Sequence, residues 1–219
     1  MSVVLSAADA ACGDGLDAAA DVPVLQVVRD AHAPDVAAAT RAARALLEAL
    51  GLDTTAEGMA DTPGRMARAY AELFTTRPFA ATTFPNDEGY DELVLARAIP
   101  LRAVCEHHLL PFAGVAHVGY LPGERILGLS KLARLVEHFA ARPQVQERLT
   151  QQIAGWLQRE LDAKGVGVVL EAEHTCMTLR GVHAVGARTV TSALRGVLRD
   201  SPSSRAEFFA LTGAVSRPR

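Results

Sequence analysis

The chain has 219 residues, 49% apolar and 21% charged, with a formal net charge of −3. That length supports one domain with a full hydrophobic core and leaves little for a second. The charge excludes a global basic field for nucleic acid, so any anion must be held by a local cluster of Lys and Arg. No uninterrupted apolar run approaches the roughly 20 residues that cross a bilayer. The three cysteines are odd in number and widely spaced, which argues against a disulfide framework and fits a reducing compartment. The opening Met1-Ser2-Val3-Val4-Leu5 lacks the basic and apolar regions of a secretory signal. A cytoplasmic protein with no membrane or nucleic-acid partner is expected.

Residues 1–33 are rich in Ala and Asp, hold no sustained period, and predict a mobile extension. Pro34-Asp35 then caps a helix that places Val36, Ala43, Leu46, Leu47 and Leu50 on one face and stops at Gly51. Asp61-Thr62-Pro63 opens a second helix with Met66, Ala69, Tyr70, Leu73 and Phe74 as its buried stripe. These two form an N-terminal helical segment, 34–78, ahead of a catalytic domain, 79–219. In that domain Leu93 to Ile99 and Val115 to Leu121 read as strands. Helices follow through Leu129, Leu132, Val136 and Phe139, and through Val145, Leu149, Ile153, Trp156 and Leu157. Val166 to Arg180 and Arg188 to Leu194 return to strand, and a short helix begins near Ser201-Pro202 with Phe208, Phe209 and Leu211. Strands grouped in pairs, rather than alternating singly with helices, predict an α+β fold: an antiparallel sheet with helices on one face.

Zinc takes thiolate and imidazole ligands, and a catalytic site supplies three of them while leaving the fourth position to water. Cys105-x-x-His108 offers two at short range, and His174-x-Cys176 lies in a strand-like stretch where residues two apart share a face. Cys-x-x-His alone is weak, since core thiols and ordinary histidines produce it by chance; the second pair raises its weight. Cys105, His107, His108, His174 and Cys176 are all candidates. Two adjacent histidines rarely reach one ion, so His107 and His108 divide the work, one as ligand and the other free for acid-base chemistry near neutral pH. Cys12 stands in the extension with no role assigned.

Lys131 and Arg134 are three apart on one helix face with Ser130 beside them, and Arg180 follows Cys176 by four residues. Arg65 and Arg68 add two more cations. Singly each reads as a solvated helix face; converging, they suit a triphosphate through charge-assisted bonds. There is no G-x-x-x-x-G-K-[ST] loop, and Gly13-Asp14-Gly15 makes a poor dinucleotide fingerprint, with Ala18 in the third glycine position.

Five blocks carry a family resemblance: Asp61-Thr62-Pro63-Gly64-Arg65; Cys105-Glu106-His107-His108-Leu109; Gly128-Leu129-Ser130-Lys131-Leu132-Ala133-Arg134; Arg142-Pro143-Gln144-Val145-Gln146-Glu147-Arg148-Leu149; and His174-Thr175-Cys176 with Arg180-Gly181. In this order and spacing the chain resembles GTP cyclohydrolase I over roughly residues 36–212. The resemblance implies a tunnelling fold, an antiparallel sheet backed by two antiparallel helices, in a ring-shaped homodecamer with active sites at subunit interfaces. It implies zinc on Cys105, His108 and Cys176, and conversion of GTP to 7,8-dihydroneopterin triphosphate and formate, the first step of tetrahydrofolate and pterin biosynthesis. His107 and His174 would move protons. Glu147, with Gln146 nearby, would read guanine, Ser130 would bond ribose or phosphate, and Lys131, Arg134 and Arg180 would hold the triphosphate. Arg65 and Arg68 would reach in from a neighbouring chain. Arg68 stands where some members carry lysine, which keeps the charge and changes its geometry. His183 has no role in this scheme.

Other readings fit less well. A non-catalytic relative would have no need of His107, His174 and Glu147. A tunnelling-fold nitrile reductase needs a nucleophilic cysteine and a nicotinamide, and a cytidine-type deaminase needs H-x-E and P-C-x-x-C, absent here. A nucleic-acid-binding zinc module needs four closely spaced ligands and a basic surface.

Overall fold

Asp35 starts the first helix, its carboxylate accepting from the Ala38 N–H at 2.9 Å, and Gly51, at φ +81°, ends it in the left-handed region that glycine alone enters freely. The computed structural model describes residues 24–26, 33–76 and 80–213. They fall into two units, residues 29–76 and the remainder. Cys12, Gly13-Asp14-Gly15 and most of the segment 1–33 lie outside the described residues; within that segment, strand β1 (Val24–Gln26) is described.

The smaller unit holds α1 (Val36–Ala49) and α2 (Thr62–Phe74). Their buried residues are Ala43 and Leu47 on α1 and Pro63 and Ala67 on α2. This strip is narrower than the periodicity predicts: Leu46, Leu50, Ala69 and Leu73 are exposed. Two helices alone cover only the line along which they face each other. Between them the buried Thr54 hydroxyl donates to Glu48 at 2.7 Å and accepts from Arg44 at 2.9 Å, so no polar group there is orphaned.

The larger unit runs β2 (Ala80–Pro85), β3 (Val94–Cys105), β4 (Pro111–Leu121), β5 (Arg125–Leu127), α3 (Leu129–Ala140), β6 (Pro143–Gln144), α4 (Gln146–Glu160), β7 (Gly165–His174), α5 (Thr175–Thr178), β8 (Thr189–Gly196), α6 (Val197–Asp200) and α7 (Pro202–Thr212). Its main sheet has the order β6-β3-β4-β7-β8, and β1-β2-β5 form a second, small one. Neighbours in the main sheet are antiparallel except β6, which runs parallel to the end of β3 through Val104↔Pro143 and Cys105↔Gln144. β3 is longer than predicted: a bulge between Ala96 and Ile99, with Ala98 at φ +54°, carries it on through Pro100 to Cys105.

One sheet face packs on α3 and α4. Leu132, Leu135, Val136 and Phe139, with Leu149, Ile153, Trp156 and Leu157, bury against Leu101, Ala116, Val118, Val166, Val168 and Leu170. The other face is covered where Val169, Leu194, Leu198 and Phe208 meet. There the Phe208 ring lies so close to Gly167 that a Cβ on that glycine would sit 2.6 Å from it. Phe208→Ala is expected to cost about 3–5 kcal/mol, read as a fall in the urea midpoint with unchanged slope.

The predicted strand through Arg180 stops at His174. There the chain enters the helical turn α5, the Thr175 hydroxyl donating to Pro111 O at 2.6 Å and the Leu179 N–H to Thr175 O at 3.0 Å. Strand alternation therefore does not place Cys176 or Arg180; the helical turn does. Among the described residues no helix is long and apolar enough to cross a membrane.

Candidate metal centre and active site

β3 ends, β4 begins, β7 ends and β8 begins at the same edge of the main sheet, and the start of α4 meets them there. Cys105, the last residue of β3, is buried. Its N–H donates to Leu110 O at 2.9 Å and its carbonyl accepts from the Leu109 N–H at 2.8 Å, closing a tight turn with Leu109 at φ +52°. Glu106 is held from two sides: its N–H donates to Gln144 O at 3.0 Å, and its carboxylate accepts from Arg148. That hydrogen bond holds the Glu106 carboxyl below the usual glutamate range.

Cys176 rises from α5 toward this turn. Cys105 Sγ, Cys176 Sγ and a ring nitrogen of His108 all lie within 4.8 Å of one another. The His108 Nδ1 is 3.9 Å from Cys105 Sγ; the His107 Nδ1 is 4.0 Å from it, but His107 is not part of the three-atom group. Of the two histidines, it is His108 whose ring nitrogen is grouped with both thiols. Burial raises the Cys176 thiol, the adjoining Cys105 raises it further, and Arg180 opposes both. Ionising both of the facing thiols would set two negative charges side by side, and a cation bound between them reverses that penalty. With an imidazole as third donor, the set fits a thiophilic divalent metal such as zinc, with a coordination position to spare.

His174 closes the other side. It pairs directly with Phe112 across β7 and β4, and the two rings stack with centroids 4.5 Å apart and planes 10° apart. Its Nε2 lies 2.7 Å from Gln146 Oε1. Burial lowers its pKa, with the Glu147 carboxylate pulling the other way, so the neutral ring is favoured near pH 7. Glu147 is exposed in the first turn of α4, where the helix dipole favours a carboxylate. Gln146, expected beside guanine, is buried, and its amide is committed to protein partners.

The expected cations do not all converge. Arg180 is exposed and close enough to Cys176 to act on it. Ser130 and Lys131 are at the other end of the sheet. β4 carries the chain about 33 Å away from the cysteine turn, at about 3.3 Å per residue; Gly128, just before α3, is tied there to Thr82 O at 3.1 Å. Arg134 is one turn further along α3. Arg65 and Arg68 belong to the two-helix unit, where Arg65 contacts Asp61 at 3.5 Å and the Arg68 guanidinium lies over Gly64. Sequence reading missed Phe112, Arg148 and Thr191, whose contacts with His174, Glu106 and Thr150 join residues 41 or more apart in the chain.

A largely antiparallel sheet backed by two helices, with a Cys-His-Cys donor group at the end of its strands, defines an α+β protein with a candidate metal centre. The family model described as GTP cyclohydrolase I matches residues 39–213. The protein named GTP cyclohydrolase 1 of Mycobacteroides abscessus is 54% identical over 185 residues, 82% of this chain and 91% of that one. The protein of the same name from Corynebacterium glutamicum is 54% identical over 178 residues, 79% of this chain and 91% of its own. The chain belongs to the GTP cyclohydrolase I family.

Proposed function

We propose that this chain is a zinc-dependent GTP cyclohydrolase I, converting GTP to 7,8-dihydroneopterin triphosphate and formate at the start of tetrahydrofolate and pterin biosynthesis in the cytoplasm. The observation that carries the reading is the Cys105, His108 and Cys176 group within 4.8 Å, flanked by two histidines outside it. Those three residues would hold the metal. When bound, zinc supplies Lewis acidity that makes hydroxide available from water near neutral pH, the nucleophile that C8 of guanine requires.

The remaining work falls to the chain's own groups. His107, exposed beside the ligand turn, would protonate the imidazole nitrogen of the purine as its ring opens. His174, favoured as the neutral ring, would accept and return protons in ring opening and ribose rearrangement. Glu147 would accept from guanine N1–H and the 2-amino group, oriented by a helix whose next residue, Arg148, is tied to Glu106. Arg180 would take a phosphate on this side.

Ser130, Lys131 and Arg134 lie on the first turns of α3, which starts beside the end of β4 remote from the cysteine turn, so they would serve the site of an adjoining copy, as would Arg65 and Arg68. This separation supports active sites between subunits of a homodecamer. The metal-loaded protein incubated with GTP is expected to release formate and develop the pterin chromophore. His107→Ala is expected to lower kcat about 10²- to 10⁴-fold. Absence of product from the zinc-bound parent would refute the assigned reaction, and turnover after complete metal removal would refute the zinc mechanism.

A further inference from the structure

The Gln146 side chain is buried at the start of α4, and every hydrogen-bonding group on it has a protein partner. Its Nε2 lies 3.2 Å from Leu170 O, 3.0 Å from Thr189 O and 3.1 Å from Thr191 Oγ1. Two of these are carbonyl oxygens, which only accept. Turning the amide over would set Oε1 against both with no proton between, so the NH₂ must face β7 and β8. The threonines agree. The Thr150 hydroxyl donates to Gln146 O at 2.7 Å, so the 2.7 Å contact between Thr150 and Thr191 uses the Thr191 proton, and Thr191 Oγ1 is left to accept from Gln146. Both hydroxyl protons are thereby assigned, and the two amide protons serve the three acceptors between them.

Oε1 is therefore the atom that meets His174 Nε2 at 2.7 Å, and an amide oxygen only accepts. The ring nitrogen opposite must carry the proton. We propose that Gln146 is a positioning residue, which holds His174 as the Nε2–H tautomer and leaves Nδ1 as its open nitrogen. Phe112, fully buried and stacked on the same ring, fixes the plane while Gln146 fixes the tautomer. Among the described residues Nδ1 makes no hydrogen bond, so it is the nitrogen free to accept a proton from substrate and return it. The inference rests on His174 moving protons in the proposed reaction, and assigns Gln146 to His174 rather than to guanine.

Solid-state ¹⁵N spectra of histidine-labelled, zinc-loaded protein test the tautomer without reference to turnover, with His174 identified by the signals lost in His174→Asn. A protonated Nε2 and a bare Nδ1 are expected; a protonated Nδ1 on the neutral ring would overturn the proposal. Gln146→Leu is expected to release the ring to a mixture of tautomers and to lower kcat about 10- to 100-fold with KM for GTP within about twofold. A raised KM with unchanged kcat in Gln146→Leu would mean that the amide touches guanine, and would refute the assignment. Should Gln146→Leu not fold, the parent spectrum still decides. Should the parent not turn over GTP, the reaction is wrong and the spectrum decides the tautomer alone.

Discussion

Cys176→Ser is expected to reduce bound metal from about one ion per chain to near zero and to cut GTP turnover by more than about 100-fold, since even partners outside the ligand set are worth about 10- to 100-fold. The side chain keeps its place on α5 but exchanges a thiol that a metal can deprotonate for a hydroxyl that does not ionise in this range. Only Cys105 and His108 remain as donors. Because burial and Cys105 raise the Cys176 thiol in the metal-free site, protons and metal compete there, and retention in the parent should weaken as pH falls. Thermal unfolding gives a second reading. A metal at 100 times its Kd stabilises the parent by about 2.7 kcal/mol, so a chelator should lower the parent's Tm and leave that of Cys176→Ser unmoved. Full metal content in the variant would show that Cys176 is not a ligand.

Gly114→Ala, chemically the smaller change, is expected to destabilise the protein by about 3 kcal/mol or more. A Cβ at this position would lie 1.9 Å from Glu171 O and 2.6 Å from Ala172 Cα. Both are backbone atoms of β7 and cannot rotate aside, so β4 and β7 must part at the pair Gly114↔Ala172. The next pair on the same face is Phe112↔His174, so the opening reaches the proposed proton carrier directly. Urea unfolding should show a large fall in midpoint, and the folded fraction should turn over slowly. Gly155→Ala is the control. It lies inside α4 and meets only the tip of Arg159 at 3.2 Å, so the lower chain entropy of alanine should leave stability unchanged or raise it by up to about 1 kcal/mol.

Local order was legible in the sequence where one face of an element repeats. Leu132, Val136 and Phe139, and Leu149, Ile153 and Leu157, read as helices and are buried as such. The metal group was legible for another reason: Cys105 and His108 share one turn, so their spacing is their geometry. Cys176 is brought beside Cys105 and His108 by a helical turn rather than by the strand alternation that was expected. Thr175 and Thr178 favour strand by composition, but a hydrogen bond from Thr175 to Pro111, 64 residues distant, ends β7 and folds the chain into a helical turn. Gln146 is the harder case. One residue from Glu147 at the mouth of the site, it reads as a second contact to the base; only the pairing of β7 with β8 brings Leu170, Thr189 and Thr191 around its amide. Lys131 and Arg134 were recognisable as neighbouring cations on one helix face, but the start of α3 beside the far end of β4 follows from the direction in which β4 runs, which no local pattern encodes.

The turn from Cys105 to Leu110 is closed at both ends by its own backbone, and its two strands leave it already in register at Val104↔Pro111. The length of this segment is therefore as restricted as its composition. One added residue would either part Cys105 from His108 or advance β4 by a position, and an odd shift in a strand exchanges its faces. Phe112 would leave the core and Pro111 would take its place beneath His174. Leu109 sets a matching limit on shape, because β-branched side chains resist a positive φ. Insertions and deletions in the turn are thus as disruptive as replacement of its donor residues, and variation in its length among descendants of this chain should mark those that have given up the chemistry.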